Sequence, residues 1–214
     1  MEGLMISEEL QNLLLKYCEP EGELLQYINR ETQLKVLLPR MLSGHYQGRV
    51  LSLLSKINSP KRILEIGTFT GYATLCLAEG LTNDGIIYTL DINEELEEMV
   101  RANFFKSPLN AKINYIIGDA KQSLAVLCHE IFDIVFIDAD KRNNKTYYDL
   151  VFDQVRSGGL IIVDNVLWSG KILSNAQDKD TKNISSFNDQ IAADNRVEKL
   201  ILSVRDGLFI IRKK

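Results

Sequence analysis

Two observations predict an α/β fold with a mostly parallel, seven-stranded sheet, helices on both of its faces and a C-terminal antiparallel hairpin. After Ser59-Pro60, short runs of β-branched and aromatic residues alternate with longer amphipathic segments. Strands alternating with helices imply βαβ crossovers, and hence parallel strands covered on both sides. Near the end, KLILSVRDGLFIIRKK reads as two strands joined at Arg205-Asp206-Gly207, where Asp-Gly is a hairpin signal.

From Ser7 to about Ile57 the apolar residues recur at helical spacing: Leu10, Leu13, Leu14 and Tyr17, then Leu24, Leu25 and Ile28, then Val50, Leu53 and Leu54. Breaks fall around Glu19-Pro20 and at Pro39. Residues 1–58 are therefore expected to form helices packed on a core domain at 59–214, one domain overall. Within that core the order is RILEIG, a helix over Tyr72 to Leu81, IIYTLDI, a helix from Glu94 to about Phe105, and INYIIGD. A helix over Gln122 to His129, FDIVFID, a helix from Asn144 to Val155, and LIIVDN follow. The polar stretch from Ser169 to Asp194 has no strand signal in its first half. It reads as a mobile lid leading into a helix from Ile184 to Asp194.

The totals narrow the function classes. At 214 residues the chain can bury roughly 70% of its unfolded surface, enough for a proper core. A net charge of −4 argues against a nucleic-acid partner, because such affinity rests on Lys/Arg contacts to phosphate. Cys18, Cys76 and Cys128 are odd in number and widely spaced, without a CxxC, so neither a disulfide framework nor a zinc site is expected and a reducing cytoplasm fits. No apolar run approaches the ~18 residues of a membrane helix.

Glu65, Asp91, Asp119, Asp138 and Asp164 each fall at or just beyond the end of a different expected strand. In open α/β sheets the ligand crevice lies outside those ends, so five acids there call for a cationic, hydroxyl-rich or metal-bound ligand. The first turn, ILEIGTFTGYATLCLA, has Phe69 and Tyr72 where a dinucleotide fingerprint from Gly67 would need glycine. Gly67 and Gly71 remain, enough for a tight turn that lets backbone approach a ligand, with Asp91 placed to accept a pair of ribose hydroxyls. A nucleoside without a pyrophosphate fits, and S-adenosylmethionine, with a free ribose and a positive sulfonium, is one.

The segments ILEIGTFTGYA, LDIN, GDA, FIDADK, VDNVLWSG and DGLFI, in this order from Arg40 onward, resemble the class I S-adenosylmethionine-dependent O-methyltransferases of the catechol and caffeoyl-coenzyme A type. The resemblance implies a Rossmann-like methyltransferase fold, an aromatic-diol substrate and a homodimer. Asp138, Asp164 and Asn165 offer two carboxylates and one amide oxygen, hard donors that suit Mg²⁺ or Mn²⁺ with water or substrate completing the shell. In the family these positions hold a divalent metal that chelates two vicinal hydroxyls. Lys141 matches the lysine assigned proton abstraction, and a nearby divalent charge favours its neutral, basic form.

For the cofactor, the resemblance implies Met41 and Ser43 in MLSGHYQGR at the methionine tail and Glu65 and Gly67 at the glycine turn. It also implies Asp91 at the ribose, Asp119 with Ala120 at the adenine, and Asp140 as a further cofactor contact. Ala73 stands where many relatives have Ser, and Thr74 or Ser43 is a candidate to supply the missing hydroxyl. Trp168, the only tryptophan, is a candidate wall for an aromatic acceptor, with Asn165 and Lys141 beside it. The alternatives are an S-adenosylmethionine-binding protein without catalysis and a methyltransferase for RNA or another non-catechol acceptor. The chain lacks both the Asn/Asp-Pro-Pro-Tyr motif and a Pro-Cys nucleophile, which disfavours the nucleic-acid version.

Overall fold

The computed structural model describes residues 8–174 and 178–214. Ser7, where the helical pattern begins, and residues 175–177 of the polar stretch lie outside the described residues. Strands β1 (Arg62–Ile66), β2 (Ile86–Asp91), β3 (Ile113–Ile117), β4 (Phe132–Ile137) and β5 (Val155–Asp164) run parallel. The C-terminal pair β6 (Val197–Leu202) and β7 (Leu208–Lys213) is antiparallel, and β7 inserts between β5 and β6. The full order is β3-β2-β1-β4-β5-β7-β6.

Each central strand is apolar on both sides because helices cover both faces. In β4, Phe132, Ile134, Val135, Phe136 and Ile137 are all fully buried, each worth ~1.5–3 kcal/mol relative to exposure. One face, with Ile63, Ile87, Ile134, Phe136 and Ile162, packs against α2 (Glu23–Lys35), α3 (Gly44–Asn58), α4 (Tyr72–Ala78) and α5 (Glu97–Phe105). The other, with Leu64, Leu90, Val135, Ile137 and Val163, packs against α6 (Ala120–Val126), α7 (Asn144–Val151) and α8 (Lys179–Ala193). A further helix, α1 (Glu8–Lys16), precedes them. Among the described residues no helix is long and apolar enough to cross a membrane.

The N-terminal helices are joined to α4 and the turn before it by polar contacts as well as apolar ones. Arg49 of α3 donates from two guanidinium nitrogens to Glu79, which also accepts from Ser52 and Lys56. From α2, the buried Thr32 hydroxyl donates to Thr70 at 3.0 Å.

Element boundaries move where a side chain caps. Helix α8 starts at Lys179, ahead of the expected Ile184, because the Asp178 carboxylate accepts the backbone N–H and the hydroxyl of Thr181. The second part of the expected lid is therefore helix. Asp119 likewise starts α6 at Ala120, two residues before the expected Gln122, by accepting from the Lys121 and Gln122 N–H groups. Helix α4 ends at Ala78 and α6 at Val126, both short of the expected ends. At the other end, α7 stops at Val151, and after a 3-10 turn over Phe152–Gln154 strand β5 begins at Val155, five residues ahead of the expected LIIVDN. Gly158, at φ 74°, lies in the stretch where the β4–β5 register shifts.

At the top of β1 the chain turns at Gly67, with φ 106°, against the backbone of Asp138. A Cβ here would lie 2.2 Å from the Asp138 carbonyl oxygen. Gly67→Ala should therefore cost about 3 kcal/mol and lower Tm by roughly 6–12 °C in thermal melts. A melt matching the wild type would show that the two strand ends are free to separate.

Candidate active site

Sheet register decides which strand ends meet. Ile66 pairs with Leu90 on one side and Ile137 on the other, Ile137 pairs with Val163, and Asp91 pairs with Ile117. The residues that follow, including Gly67, Asp119, Asp138, Asp164 and Asn165, leave the sheet along one edge with Asp91. They line a cavity of about 1690 Å³, larger than the ~300–1,000 Å³ of ordinary small-molecule pockets and so roomy enough for two ligands. Met41, Ala120, Asp140, Lys141 and Trp168 line it as well. Ser43 and Glu65 do not.

In one half of the cavity the carboxylates are oriented by backbone and side-chain donors. Asp91 accepts the Phe69 N–H at 2.6 Å and the Asn93 N–H at 2.9 Å, one on each oxygen, which leaves lone pairs for further donors. Asp140 is fixed by Asn143 and by the Tyr147 hydroxyl, both donating at 2.8 Å. Burial and the Asp140 carboxylate hold the Tyr147 phenol above its ordinary range, so it remains a donor. Gly67 lines the cavity, and an added Cβ there would also meet the neighbouring strand end.

Glu65 is the clearest departure. It sits inside β1, paired with Thr89 and Phe136, and shares the parity of Ile63, so the pleat turns it under α4 instead of into the crevice. Its Oε2 accepts the hydroxyls of Thr74 and Thr89, while the buried Oε1 has no partner. Burial pushes this carboxyl up to about 8 despite those two hydrogen bonds. The Thr74 hydroxyl is thus committed to Glu65, and with Ser43 outside the lining neither residue presents a hydroxyl where Ala73 lacks one.

The other half carries the residues of FIDADK and VDN. Asp138 accepts from Lys141 Nζ at 2.8 Å, and both side chains are mostly buried. Asp164 is 2% exposed; its Oδ1 accepts the Asn165 N–H at 2.7 Å and its Oδ2 accepts Gln47 Nε2 at 2.8 Å. Burial, then the Asp138 charge, raises the Asp164 carboxyl above its ordinary range. Two adjacent carboxylates balanced by one amine, with an amide next to them, form a donor set that fits a hard divalent cation. Among the described residues no group of three or more His, Cys, Asp or Glu side chains is placed to hold a metal ion, so the donor set here is two carboxylates and an amide.

Backbone strain concentrates here. Six described non-glycine residues have positive φ, and five of them, Phe69, Asn165, Trp168, Ser169 and Arg205, line the cavity. The sequence reading missed Gln47, Arg205 and Asp206. The last two were visible only as a hairpin signal, and Gln47 sits in an unremarkable amphipathic stretch. Arg205 donates to the carbonyls of Arg40, Leu42 and Ser43, while Asp206 accepts the Ser169 N–H, so the turn between β6 and β7 holds both sides of the cavity mouth.

Residues 16–214 match the family model described as O-methyltransferase. A caffeoyl-CoA O-methyltransferase of Zinnia elegans is 36% identical over 185 residues, covering 81% of this chain and 76% of that protein. A catechol O-methyltransferase of Mycobacterium tuberculosis is 37% identical over 143 residues, covering 67% of this chain and 65% of that one. Among solved structures, an O-methyltransferase from Bacillus cereus in complex with S-adenosylhomocysteine superposes with a TM-score of 0.88 at 31% identity, covering 96% of this chain and 97% of that chain.

Glu65 generates a pH signature. Below the ordinary glutamate value of 4.5 both folded and unfolded chains hold its proton. Between there and about 8 only the folded chain does, so stability falls as pH rises through that window and levels off above it. Urea midpoints of wild type should decline across this range more steeply than those of Glu65→Gln. Equal slopes would mean that Glu65 is ionised in the folded protein.

Proposed function

The chain belongs to the family of S-adenosylmethionine-dependent O-methyltransferases, and on that premise we propose that it methylates one hydroxyl of a vicinal-dihydroxy aromatic small molecule with the help of a divalent cation. The observation that carries this reading is the pairing of Asp138 with Lys141 at 2.8 Å beside buried Asp164, in the same cavity as Asp91. Half-buried Trp168, with exposed Leu37, Leu38 and Leu173, supports an aromatic acceptor, since these apolar side chains border the cavity.

Asp138, Asp164 and Asn165 are the residues that would hold Mg²⁺ or Mn²⁺. A divalent cation there supplies Lewis acidity that eases ionisation of a phenol and anchors its orientation. The chain's own groups do the rest. Asp91 takes the ribose hydroxyls, with Met41, Asp119, Ala120 and Asp140 around the rest of the cofactor. Lys141 Nζ, held 2.8 Å from Asp138, is the group placed to accept the proton of the attacking hydroxyl. The phenolate oxygen then forms its bond to the methyl carbon as the carbon–sulfur bond breaks, and the electron pair leaves on sulfur as a neutral thioether. Opposite charges are annihilated in this step, so excluding water and aligning the two reactants supply much of the rate.

The reading includes a homodimer, supported by apolar Leu13 on α1 and Leu34 on α2, which are 44% and 67% exposed. Sedimentation should give twice the 24.3 kDa chain mass, and a monomer mass would remove that part.

Methyl transfer from labelled S-adenosylmethionine to caffeate or 3,4-dihydroxybenzoate should proceed with Mg²⁺ and stop with excess chelator. Persistent product in chelator would rule out the cation. Asp138→Ala should abolish turnover while S-adenosylhomocysteine still binds, and Lys141→Ala should lower kcat by roughly 10²–10⁴ with little change in KM. A pure KM effect would make Lys141 a positioning residue.

A further inference from the structure

We propose that Gln47 and Arg205 are positioning residues for the reaction: together they form a relay that fixes the Asp164 carboxylate and ties it to the chain segment at Met41. The proposal rests on the reading of Asp164 as a cation ligand.

A carboxylate has about four lone-pair directions. In Asp164 one direction on each oxygen is already taken, Oδ1 by the Asn165 N–H at 2.7 Å and Oδ2 by Gln47 Nε2 at 2.8 Å. Two donors on opposite oxygens set the plane of the group, leaving the remaining lone pairs for a ligand in the cavity that Asp164 lines. Gln47 is fully buried in α3, 117 residues away in sequence. Without its donor, Asp164 Oδ2 would be left in a dry site with no fixed partner.

A glutamine amide can turn either end toward a neighbour, and here its neighbours decide. The carboxylate requires a donor, and on the other side Arg205 Nη1 lies 3.5 Å from Gln47 Oε1 and requires an acceptor. Only one amide orientation satisfies both. The same guanidinium donates to the carbonyls of Leu42 at 2.7 Å, Ser43 at 2.9 Å and Arg40 at 3.0 Å. These residues flank Met41, which lines the cavity. Arg205 is itself held at φ 48°, and the following residue accepts the Leu167 N–H at 2.9 Å, so the relay is anchored at its outer end.

Groups that orient metal ligands from behind typically cost 10–100-fold in metal affinity when removed. The test is a titration of the full-length chain with Mn²⁺, read by the electron paramagnetic resonance of the free ion, with calorimetric binding of S-adenosylhomocysteine on the same preparations. Gln47→Met, which keeps the volume and removes the donor, should weaken Mn²⁺ by 10–100-fold and leave S-adenosylhomocysteine binding unchanged. Arg205→Lys, which keeps the charge and loses the fork, should weaken both ligands, because it releases the carbonyls around Met41 as well as Gln47. Asp164→Ala separates the two levels of the claim. If wild type binds Mn²⁺, Asp164→Ala loses it and Gln47→Met binds like wild type, the relay is overturned and the cation site stands. If wild type and Asp164→Ala bind Mn²⁺ alike, the cation reading fails and takes the relay with it. Should Gln47→Met not fold, Arg205→Lys decides alone, and unchanged Mn²⁺ affinity there overturns the proposal.

Discussion

Hydrogen bonding between parallel strands fixes which residues leave the sheet together, and the cavity depends on that register. With Ile66 held between Leu90 and Ile137, and Ile137 against Val163, Asp91, Gly67, Asp138 and Asp164 arrive at one edge in the order of their strands. A slip of one residue in β4 would turn Asp138 to the opposite face and put Ile137 at the mouth. Gly67 sits at the tightest point of this arrangement, where the ends of β1 and β4 come closer than any side chain allows. The site and the core are thus specified by the same backbone ladder.

That edge gathers negative charge, and the chain manages it by several means. Backbone N–H groups hold Asp91 and cap α6 through Asp119. Asn143 and Tyr147 hold Asp140, and Lys141 neutralises Asp138. Asp164 is buried, has only neutral donors within hydrogen-bond distance and lies beside the Asp138 carboxylate; burial first and that neighbour second raise its carboxyl. Lys141 is the one cation paired with these two carboxylates among the described residues, and it reaches only Asp138. The strained backbone of Asn165, Trp168 and Ser169 lies next to this pair of acids, held in place by the turn between β6 and β7. Binding chemistry and stored strain share one side of the cavity.

Much of this was legible in the residues. Alternating apolar runs gave the strands and their order in the chain, and the acids after those runs marked the ligand edge. The motifs FIDADK and VDN pointed to Asp138, Lys141, Asp164 and Asn165, all of which line the cavity. Glu65 lies outside the cavity lining, which the residues did not show, because counting to a strand end does not say which face the last side chains take. Ser43 lies outside the cavity lining: its backbone carbonyl accepts from Arg205 while its side chain is buried. Gln47 left no mark at all and Arg205 only that of a hairpin turn, since their partners lie 117 and about 160 residues away in sequence.

The sequence by itself therefore determined the fold class, the family and the set of acids at the strand ends, because periodicity and short motifs are local and survive in a one-dimensional record. Only the tertiary structure decided that Glu65 lies under α4, that the Thr74 hydroxyl serves Glu65, and that Gln47 stands behind Asp164. Those outcomes depend on pleat parity, helix docking and contacts between distant segments, which exist only once the sheet has assembled.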